Sequence, residues 1–327
     1  VDEANYDSHI IYMASVPESP FTKDACLKIF GGLKAKYPDE TMIMSMQASA
    51  GLVRTYEDMG YPCFDDPALA VRAMAALTRF GEIYRRGRPD APPALPDQVI
   101  PAPTTLVSEH EAKAILGSAG IPVTKEGLVG DADAAVALWR DICGPVVLKI
   151  ASPDILHKSD IGGVALNLRS VEEVRSAGAR ILELASEKAP DARIDGLVVA
   201  EQAAPGLEAI LGVTQDPAFG PVVMFGLGGV LVEALGDVSF RVAPFGPAEA
   251  RRMIDEIHGR KLLDAFRGAP ERDIDALADA LARLSAFAAH HGAALETIDV
   301  NPLIIGPSGQ GAVAADGVII PTRRGGH

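Results

Sequence analysis

One segment of the chain, residues 146–164, carries basic residues and glycines at a spacing that could bind phosphate. The residues are Lys149, His157, Lys158, Gly162 and Gly163. A lysine at the end of a buried apolar run is costly unless an anion lies beside it. Adjacent glycines let backbone N–H groups approach phosphate oxygens without a Cβ in the way. The residues alone leave two interpretations open, a nucleotide-phosphate site and a solvated loop between two strands.

Two later segments, Leu197–Glu233 and Glu296–Gly306, extend this pattern with the motifs LVVAEQAAPGLEAILG, GPVVMFGLGGVLVE and ETIDVNPLIIG. Together with VVLKIASPDILHKSDIGGV, in this order, they resemble the ATP-grasp domain of the NDP-forming acyl-CoA synthetases, relatives of the succinyl-CoA synthetase β subunit. The resemblance covers roughly residues 105–320. It implies binding of ATP or ADP with Mg²⁺.

The resemblance implies a set of ATP-binding residues. Lys149 would contact the α and β phosphates, the Gly162–Gly163 pair would form a lid over the triphosphate, and Glu208 would accept from the ribose hydroxyls. The full set is Lys149, Lys158, Gly162, Gly163, Glu201, Ala203 and Glu208, with Glu201 at the hinge that presents backbone N–H and C=O to adenine. Lys149, the Gly162–Gly163 pair and Glu208 each have a structural alternative: a surface lysine capping its strand, a tight turn, and a solvated acidic residue. The GLGG run is equally consistent with a turn that lets two strands approach.

The resemblance also implies a metal site formed by Asn301 and Asp316. Mg²⁺ binds few protein oxygens and keeps several waters, so one amide and one carboxylate beside ATP are enough. Asp299 and Glu296 lie near Asn301 in the sequence and could add negative charge. An asparagine before proline is also a common turn signal, so Asn301 alone would be structural.

His157 is the candidate catalytic residue. It lies between Lys149 and the Gly162–Gly163 pair, beside small polar residues. A lone histidine is usually packed or solvated, but a neutral imidazole is nucleophilic near pH 7. In the resembling enzymes, a histidine at this place receives or relays a phosphoryl group. We therefore predict that His157 is phosphorylated on a mobile loop.

The N-terminal residues alternate short apolar strands with helices. The predicted elements are strands at His9–Ala14, Thr41–Met46 and Tyr61–Phe64, and helices at Lys23–Lys36, Leu52–Met59 and Pro67–Tyr84. Such alternation predicts a parallel sheet. The segment resembles the C-terminal part of the flavodoxin-like CoA-ligase domain of the same enzymes. Because three strand–helix units are too few for a complete domain, and because the chain begins at Val1, we expect a longer polypeptide upstream.

The expected fold class is therefore α/β, with a partial flavodoxin-like parallel-sheet domain (1–87), a Pro-rich linker (88–103) and an ATP-grasp domain (104–327). The linker contains six prolines, so we expect it to be extended and to dock on neither domain. Within the third part, Ser108 and Glu111 form a capping-box pattern before a helix that ends at Gly120. Strands and helices are expected to alternate through the following hundred residues.

Composition excludes several function classes. The chain has 327 residues and a net charge of −14, with no basic stripe, so a nucleic-acid partner is not expected. No apolar run approaches the ~20 residues that span a membrane. The odd count of three cysteines, far apart, favours a reducing cytoplasm over a disulfide framework.

The resemblance implies the reaction carboxylate + CoA + ATP ⇌ acyl-CoA + ADP + phosphate, through an acyl phosphate and a phosphohistidine. CoA is then a co-substrate, and its site would lie in an upstream segment of the same polypeptide or in a partner subunit; a homo-oligomer is expected. Two alternatives stay open. One is a protein lysine acyltransferase on a synthetase scaffold, which would need an acetyltransferase domain after PTRRGGH. The other is a non-catalytic nucleotide- or CoA-sensing subunit.

Overall fold

The computed structural model describes residues 6–87, 89–152, 154–155, 158–228, 236–265, 268 and 270–322. Contacts between residues divide the chain into two compact units, Val1–Arg88 and Pro89–His327. None of the helices in these described ranges is long and apolar enough to cross a membrane.

The first unit is a three-stranded parallel sheet with helices. Its elements are β1 (Ser8–Ala14), α1 (Lys23–Lys36), β2 (Thr41–Met46), α2 (Ala50–Asp58), β3 (Cys63–Phe64) and α3 (Pro67–Arg86). The strand order is β1-β2-β3, and both pairings are parallel. Asp66 caps α3 by accepting a hydrogen bond from the Ala68 N–H at 2.7 Å, and Pro67 occupies the first helical position. The predicted order of elements and the parallel sheet are confirmed.

The second unit contains two sheets and the remaining helices. Its elements are α4 (Glu109–Ser118), β4 (Glu126–Val129), α5 (Ala132–Ile142), β5 (Val146–Ala151), β6 (Val164–Leu168), α6 (Val171–Lys188), β7 (Gly196–Glu201), β8 (Leu207–Asp216), β9 (Gly220–Leu227), β10 (Val238–Val242), α7 (Pro247–Asp255), α8 (Ile274–His291), β11 (Leu295–Ile305), β12 (Ala312–Ala314) and β13 (Val318–Pro321). The smaller sheet has the order β4-β7-β5-β6, and the larger has β10-β9-β8-β11-β12 with β13 also on β11.

All strand pairs of the second unit are antiparallel. Strands β7 to β10 follow one another with no helix between them among the residues that are described. The expected alternation of strands and helices is therefore wrong for this stretch. The reason is that antiparallel neighbours need only a short turn, whereas parallel neighbours need a long crossover.

Helix α4 lies where the two sheets of the second unit meet. Ser108 and Glu111 form the predicted capping box, so the start of the helix is fixed locally. Ile115 and Leu116 pack into the large core around the larger sheet, and α4 also contacts β4 of the smaller sheet. The helix ends at Ser118, just before Gly120, whose φ of +84° favours glycine.

The Pro-rich segment packs on the second unit. Leu95, Val99 and Ala102 contact its core, and the Ile100 N–H donates to Ser118 Oγ at 2.9 Å. Asp90 accepts from the Ala248 N–H at 2.8 Å, which caps α7 from a distant part of the chain. The expectation that this segment docks on neither neighbour is wrong, because apolar residues between the prolines pack against the core of the second unit. The three-part division at 87/88 and 103/104 stays a prediction.

Candidate functional site

Four charged side chains from four segments meet between the two sheets of the second unit. Lys149 Nζ donates to Glu109 Oε1 and lies 3.3 Å from Asp316 Oδ2. Lys158 Nζ donates to Glu109 Oε2 at 2.8 Å. We call Glu109, Lys149, Lys158 and Asp316 the open cluster. Its side chains are between 18% and 33% exposed, so a ligand can reach them.

The local fold explains how Lys149 reaches this place. The residue lies inside β5, with Val198 of β7 on one side and Val164 of β6 on the other. Its neighbours Leu148 and Ile150 point into the core of the smaller sheet, so alternation directs Lys149 to the opposite face. Lys149 is therefore not a surface lysine that caps the end of its strand.

The electrostatics of the open cluster are those of an ion-pair network. Burial opposes ionisation of Glu109, but Lys149 and Lys158 outweigh it and lower the pKa of Glu109 to about 2. Burial likewise opposes the charge of Lys149, yet Glu109 and Asp316 raise its pKa. The pKa of Asp316 is raised, first by burial and then by the negative charge of Glu109. Of the two carboxylates in the open cluster, Asp316 has less positive charge beside it, because it contacts Lys149 whereas Glu109 contacts both lysines.

The two glycines of the predicted lid form a tight turn. The Gly162 N–H donates to the Ser159 carbonyl at 3.1 Å, and the Gly163 N–H donates to the Lys158 carbonyl at 2.8 Å. A Cβ on Gly163 would lie 2.7 Å from the side chain of Ile150. Both N–H groups are used within the turn, so the expectation that they face phosphate oxygens does not hold in this structure. A role of Gly162 and Gly163 in ATP binding stays a prediction.

The predicted adenine residues lie at the end of β7. The Glu201 N–H donates to the Lys125 carbonyl at 2.7 Å, and the Gln202 N–H donates to the Pro145 carbonyl at 2.8 Å. The N–H of Glu201 is therefore not available to adenine, contrary to expectation. The N–H of Ala203, next in the chain, has no backbone acceptor within the described ranges. Adenine binding by Glu201 or Ala203 stays a prediction.

Glu208, the predicted ribose residue, is exposed near the start of β8. Its carbonyl accepts from the Gly228 N–H at 2.7 Å, and a Cβ on Gly228 would lie 2.9 Å from that of Glu208. Gly228 therefore lets two strands approach, which is the structural interpretation of this glycine. Residues 229–235 lie outside the described ranges.

Of the predicted metal residues, Asn301 lies in β11 and Asp316 lies in the connection between β12 and β13. Asp299 pairs with Val318, and Leu303 pairs with Ala314, so the register places Asn301 and Asp316 across from each other. The pKa of Asp299 is raised by burial. Carboxylate and amide oxygens in one place fit the preference of Mg²⁺ for oxygen ligands. No group of three or more His, Cys, Asp or Glu residues suited to a metal occurs in the described part of the chain.

His157 lies outside the described residues, so its predicted role is not tested by the structure. Other histidines have structural partners: His110 Nδ1 is 2.8 Å from Glu126, and His258 Nδ1 is 3.0 Å from Asp237.

Glu109 is the member of the open cluster that sequence reasoning missed. It lies in the first turn of α4, where an acidic residue is ordinary because of the helix dipole. Its partners Lys149 and Lys158 are 40 and 49 residues away. The sequence therefore offers no local signal, and the folded structure identifies the residue.

Comparisons with known proteins identify the family of most of this chain. Residues 98–320 match the family model described as an ATP-grasp domain. The chain is 41% identical over 224 residues to the ADP-forming acetate–CoA ligase II subunit beta of Pyrococcus furiosus, covering 68% of this chain and 95% of that subunit.

Longer relatives match as well. The ADP-forming 4-hydroxybutyrate–CoA ligase of Nitrosopumilus maritimus is 33% identical over 313 residues, which is 92% of this chain but 44% of that enzyme. The chain thus spans less than half the length of this longer relative.

A solved structure agrees in fold. It is the dinucleotide-forming acetyl-coenzyme A synthetase 1 of Ca. Korarchaeum cryptofilum in complex with coenzyme A and Mg-AMPPCP, its phosphohistidine segment pointing towards the nucleotide-binding site. It has 46% sequence identity and a TM-score of 0.59, covering 67% of this chain and 93% of the solved one. The chain therefore belongs to the ATP-grasp family, within the group that contains the ADP-forming acyl-CoA ligases.

Proposed function

We propose that this chain is the nucleotide-binding part of an ADP-forming acyl-CoA synthetase. The observation that carries the proposal is the convergence of Lys149, Lys158 and Asp316, from three separate segments, in a cluster that a ligand can reach. Two ammonium groups suit a polyphosphate, and a carboxylate with a raised pKa suits a cation beside it. MgATP combines these two charges in one ligand.

The proposed roles follow from this arrangement. Lys149 and Lys158 would bind phosphate oxygens, Asn301 and Asp316 would hold Mg²⁺, and Ala203 would contact adenine from the end of β7. The metal, when bound, neutralises phosphate charge. Both lysines would orient the nucleotide through its phosphates, and the pKa of Lys149 is raised because its acidic partners outweigh burial.

The proposed chemistry is transfer of the terminal phosphoryl group of ATP. His157 takes the phosphoryl group and ADP leaves; a carboxylate oxygen then takes it from the imidazole, which gives an acyl phosphate. The sulfur of CoA attacks the acyl carbon and phosphate departs, so acyl-CoA, ADP and phosphate are the products. The relatives named for acetate and 4-hydroxybutyrate support a carboxylate as substrate.

The proposal includes a partner. CoA would bind a further polypeptide segment, either in the same chain or in a separate subunit, because relatives occur both as a beta subunit and as a longer chain. We also propose self-association, which light scattering on the intact protein would measure, and a cytoplasmic location, which rests on the cysteine usage.

The test is a product assay on the complete protein that carries this chain, with its partner subunit where there is one. MgATP, CoA and a panel of short, branched and aromatic carboxylates are supplied, and nucleotide products are separated. We expect ADP and phosphate in equal amounts with acyl-CoA for at least one acid. Formation of AMP and pyrophosphate, or no nucleotide turnover with any acid, would contradict the proposal.

A second measurement tests His157. Wild-type protein exposed to ATP labelled at the γ-phosphate should carry an acid-labile, base-stable label at His157. His157→Ala should keep ATP binding, because Lys149 remains, and should lose the label and most of the ligase rate. An unlabelled wild-type His157 together with a near-normal rate for the variant would leave His157 as an ordinary loop residue.

A further inference from the structure

Glu109 occupies the two lysines that the proposed function assigns to phosphate. One carboxylate oxygen accepts from Lys149 Nζ, and the other accepts from Lys158 Nζ at 2.8 Å. A carboxylate that bridges two ammonium groups presents the same negative charge and the same kind of acceptor oxygens as a phosphate group. The carboxylate of Glu109 therefore lies where a phosphate group bound by Lys149 and Lys158 is expected.

Helix α4 does not need the carboxylate of Glu109 as a cap. Helix α4 is capped by Ser108 and Glu111, which bond each other's backbone N–H groups, so the carboxylate of Glu109 is not needed for capping. The apolar side of the helix is anchored by residues such as Leu116 in the large core. The capping box and the packing of Leu116 thus fix the backbone at Glu109. Only the side chain of Glu109 has to move to release the lysines.

Charge explains why Glu109 lies between the two lysines. Lys149 has a second acidic partner in Asp316, but Glu109 is the carboxylate that contacts both largely buried ammonium groups, and buried charges without a partner are costly. Its pKa of about 2 keeps it charged in neutral solution. An arriving phosphate would repel this carboxylate and compete with it for the same N–H donors.

We propose that Glu109 is an internal competitor for nucleotide, which holds Lys149 and Lys158 in the nucleotide-free protein and is displaced from them by the phosphates of a nucleoside di- or triphosphate. It is a positioning residue, since it acts through the lysines. The inference rests on the proposed function, because it takes nucleotide phosphate as the ligand of these lysines.

The test compares ADP binding by calorimetry, without magnesium, in wild type and Glu109→Gln. The neutral amide binds ammonium less strongly than a carboxylate and does not repel phosphate. We expect the variant to bind ADP about tenfold more tightly, which is ~1.4 kcal/mol, while its thermal midpoint stays equal or falls. A residue that only supports the fold would weaken binding and stability together, so the opposite movement of the two readouts identifies competition.

Glu111→Gln is the matched control. It changes one charge in the same helical turn, its partner is Ser108, and glutamine serves equally in a capping box. We expect its ADP affinity to equal that of wild type. Unchanged or weaker ADP binding in folded Glu109→Gln would overturn the proposal, as would equal tightening in the control.

Two further experiments test the proposal if Glu109→Gln does not fold. Glu109→Asp keeps the charge but is one methylene shorter, so it cannot span both lysines, and it should tighten ADP binding by a smaller factor. The wild-type protein with bound ADP should show Glu109 beyond hydrogen-bond distance of at least one lysine. An ADP complex in which Glu109 still bridges Lys149 and Lys158 refutes the proposal by itself.

Failure of this inference can be told apart from failure of the proposed function. If Lys149→Ala leaves ADP affinity unchanged, the lysines are not the phosphate site and both statements fall. If Lys149→Ala weakens binding but Glu109→Gln does not tighten it, the phosphate site stands and only the competition is wrong.

Discussion

Helix α4 contributes to two ionic clusters that differ in exposure. In the open cluster, Glu109 meets lysines whose side chains are about one fifth exposed. One turn further along, Lys113 donates to Glu126 and to Thr124 Oγ1 at 2.6 Å, and His110 contacts the other oxygen of Glu126. We call this second group the closed cluster. Its lysine is 1% exposed and its carboxylate 7%.

The difference separates a structural use of charge from a functional one. In the closed cluster, Lys113 and Glu126 satisfy each other almost entirely away from water, and only His110 at its edge is 30% exposed. A ligand therefore cannot reach Lys113 without breaking the fold. In the open cluster, Glu109 and Asp316 compete for Lys149, and water reaches all of them. Charges that share partners and remain accessible can exchange those partners for a ligand.

The largest effect should come from breaking the closed cluster. Lys113→Ala leaves Glu126 buried beside His110 alone, and removal of one partner of a buried pair costs about 3–5 kcal/mol. We expect the free energy of unfolding, measured by urea denaturation, to fall by that amount. Lys188→Ala, at the exposed end of α6, is the control and should change it little. A loss similar to that of Lys188→Ala would show that the closed cluster is not structural.

The open cluster should respond in binding rather than in stability. Lys149→Ala removes a charge-assisted contact to phosphate, worth about 1.5–3 kcal/mol, so ATP affinity should fall by one to two decades. Calorimetry measures the affinity, and circular dichroism checks that the fold is intact. Equal ATP affinity in Lys149→Ala and Lys188→Ala would show that Lys149 does not bind the phosphates of ATP.

Asp316 tests whether the open cluster also binds the metal. Asp316→Ala should abolish the tightening of ATP binding by Mg²⁺, because the amide of Asn301 cannot replace a carboxylate. The measurement is the ratio of ATP affinities with and without magnesium, in the variant and in wild type. A ratio that stays at the wild-type value would make Asp316 a structural partner of Lys149.

The smallest effect concerns the pH dependence of stability. The pKa of Glu109 is lowered to about 2 in the folded protein, so the unfolded chain binds its proton first as pH falls. The stabilisation by Glu109 is therefore complete above about pH 4.5 and is lost towards pH 2.

Between pH 6 and pH 3.5, the free energy of unfolding of wild type should therefore fall by about 1 kcal/mol more than that of Glu109→Gln. Urea denaturation at the two pH values measures it. The exposed Glu187→Gln should behave as wild type. The same acid sensitivity in Glu109→Gln and wild type would show that the ion pairs of Glu109 do not contribute to stability.

Much of this molecule could be predicted from short stretches of sequence. The capping box at Ser108, the cap of α3 at Asp66 and the alternation in the first unit depend on residues within a few positions of each other. The motif order around Lys149 was enough to indicate an ATP-grasp domain, which the family match at residues 98–320 confirms.

Other features were decided only by the tertiary structure, because they depend on residues distant in the chain. Glu109 meets Lys149 and Lys158 because α4 packs between two sheets, and Asp316 joins them from 167 residues away. The same holds for backbone groups: the N–H groups of Gly163 and Glu201 were expected to be free for ligand and are donated within the fold. Sequence specified which residues carry charge, and packing decided which charges are paired and which a ligand can reach.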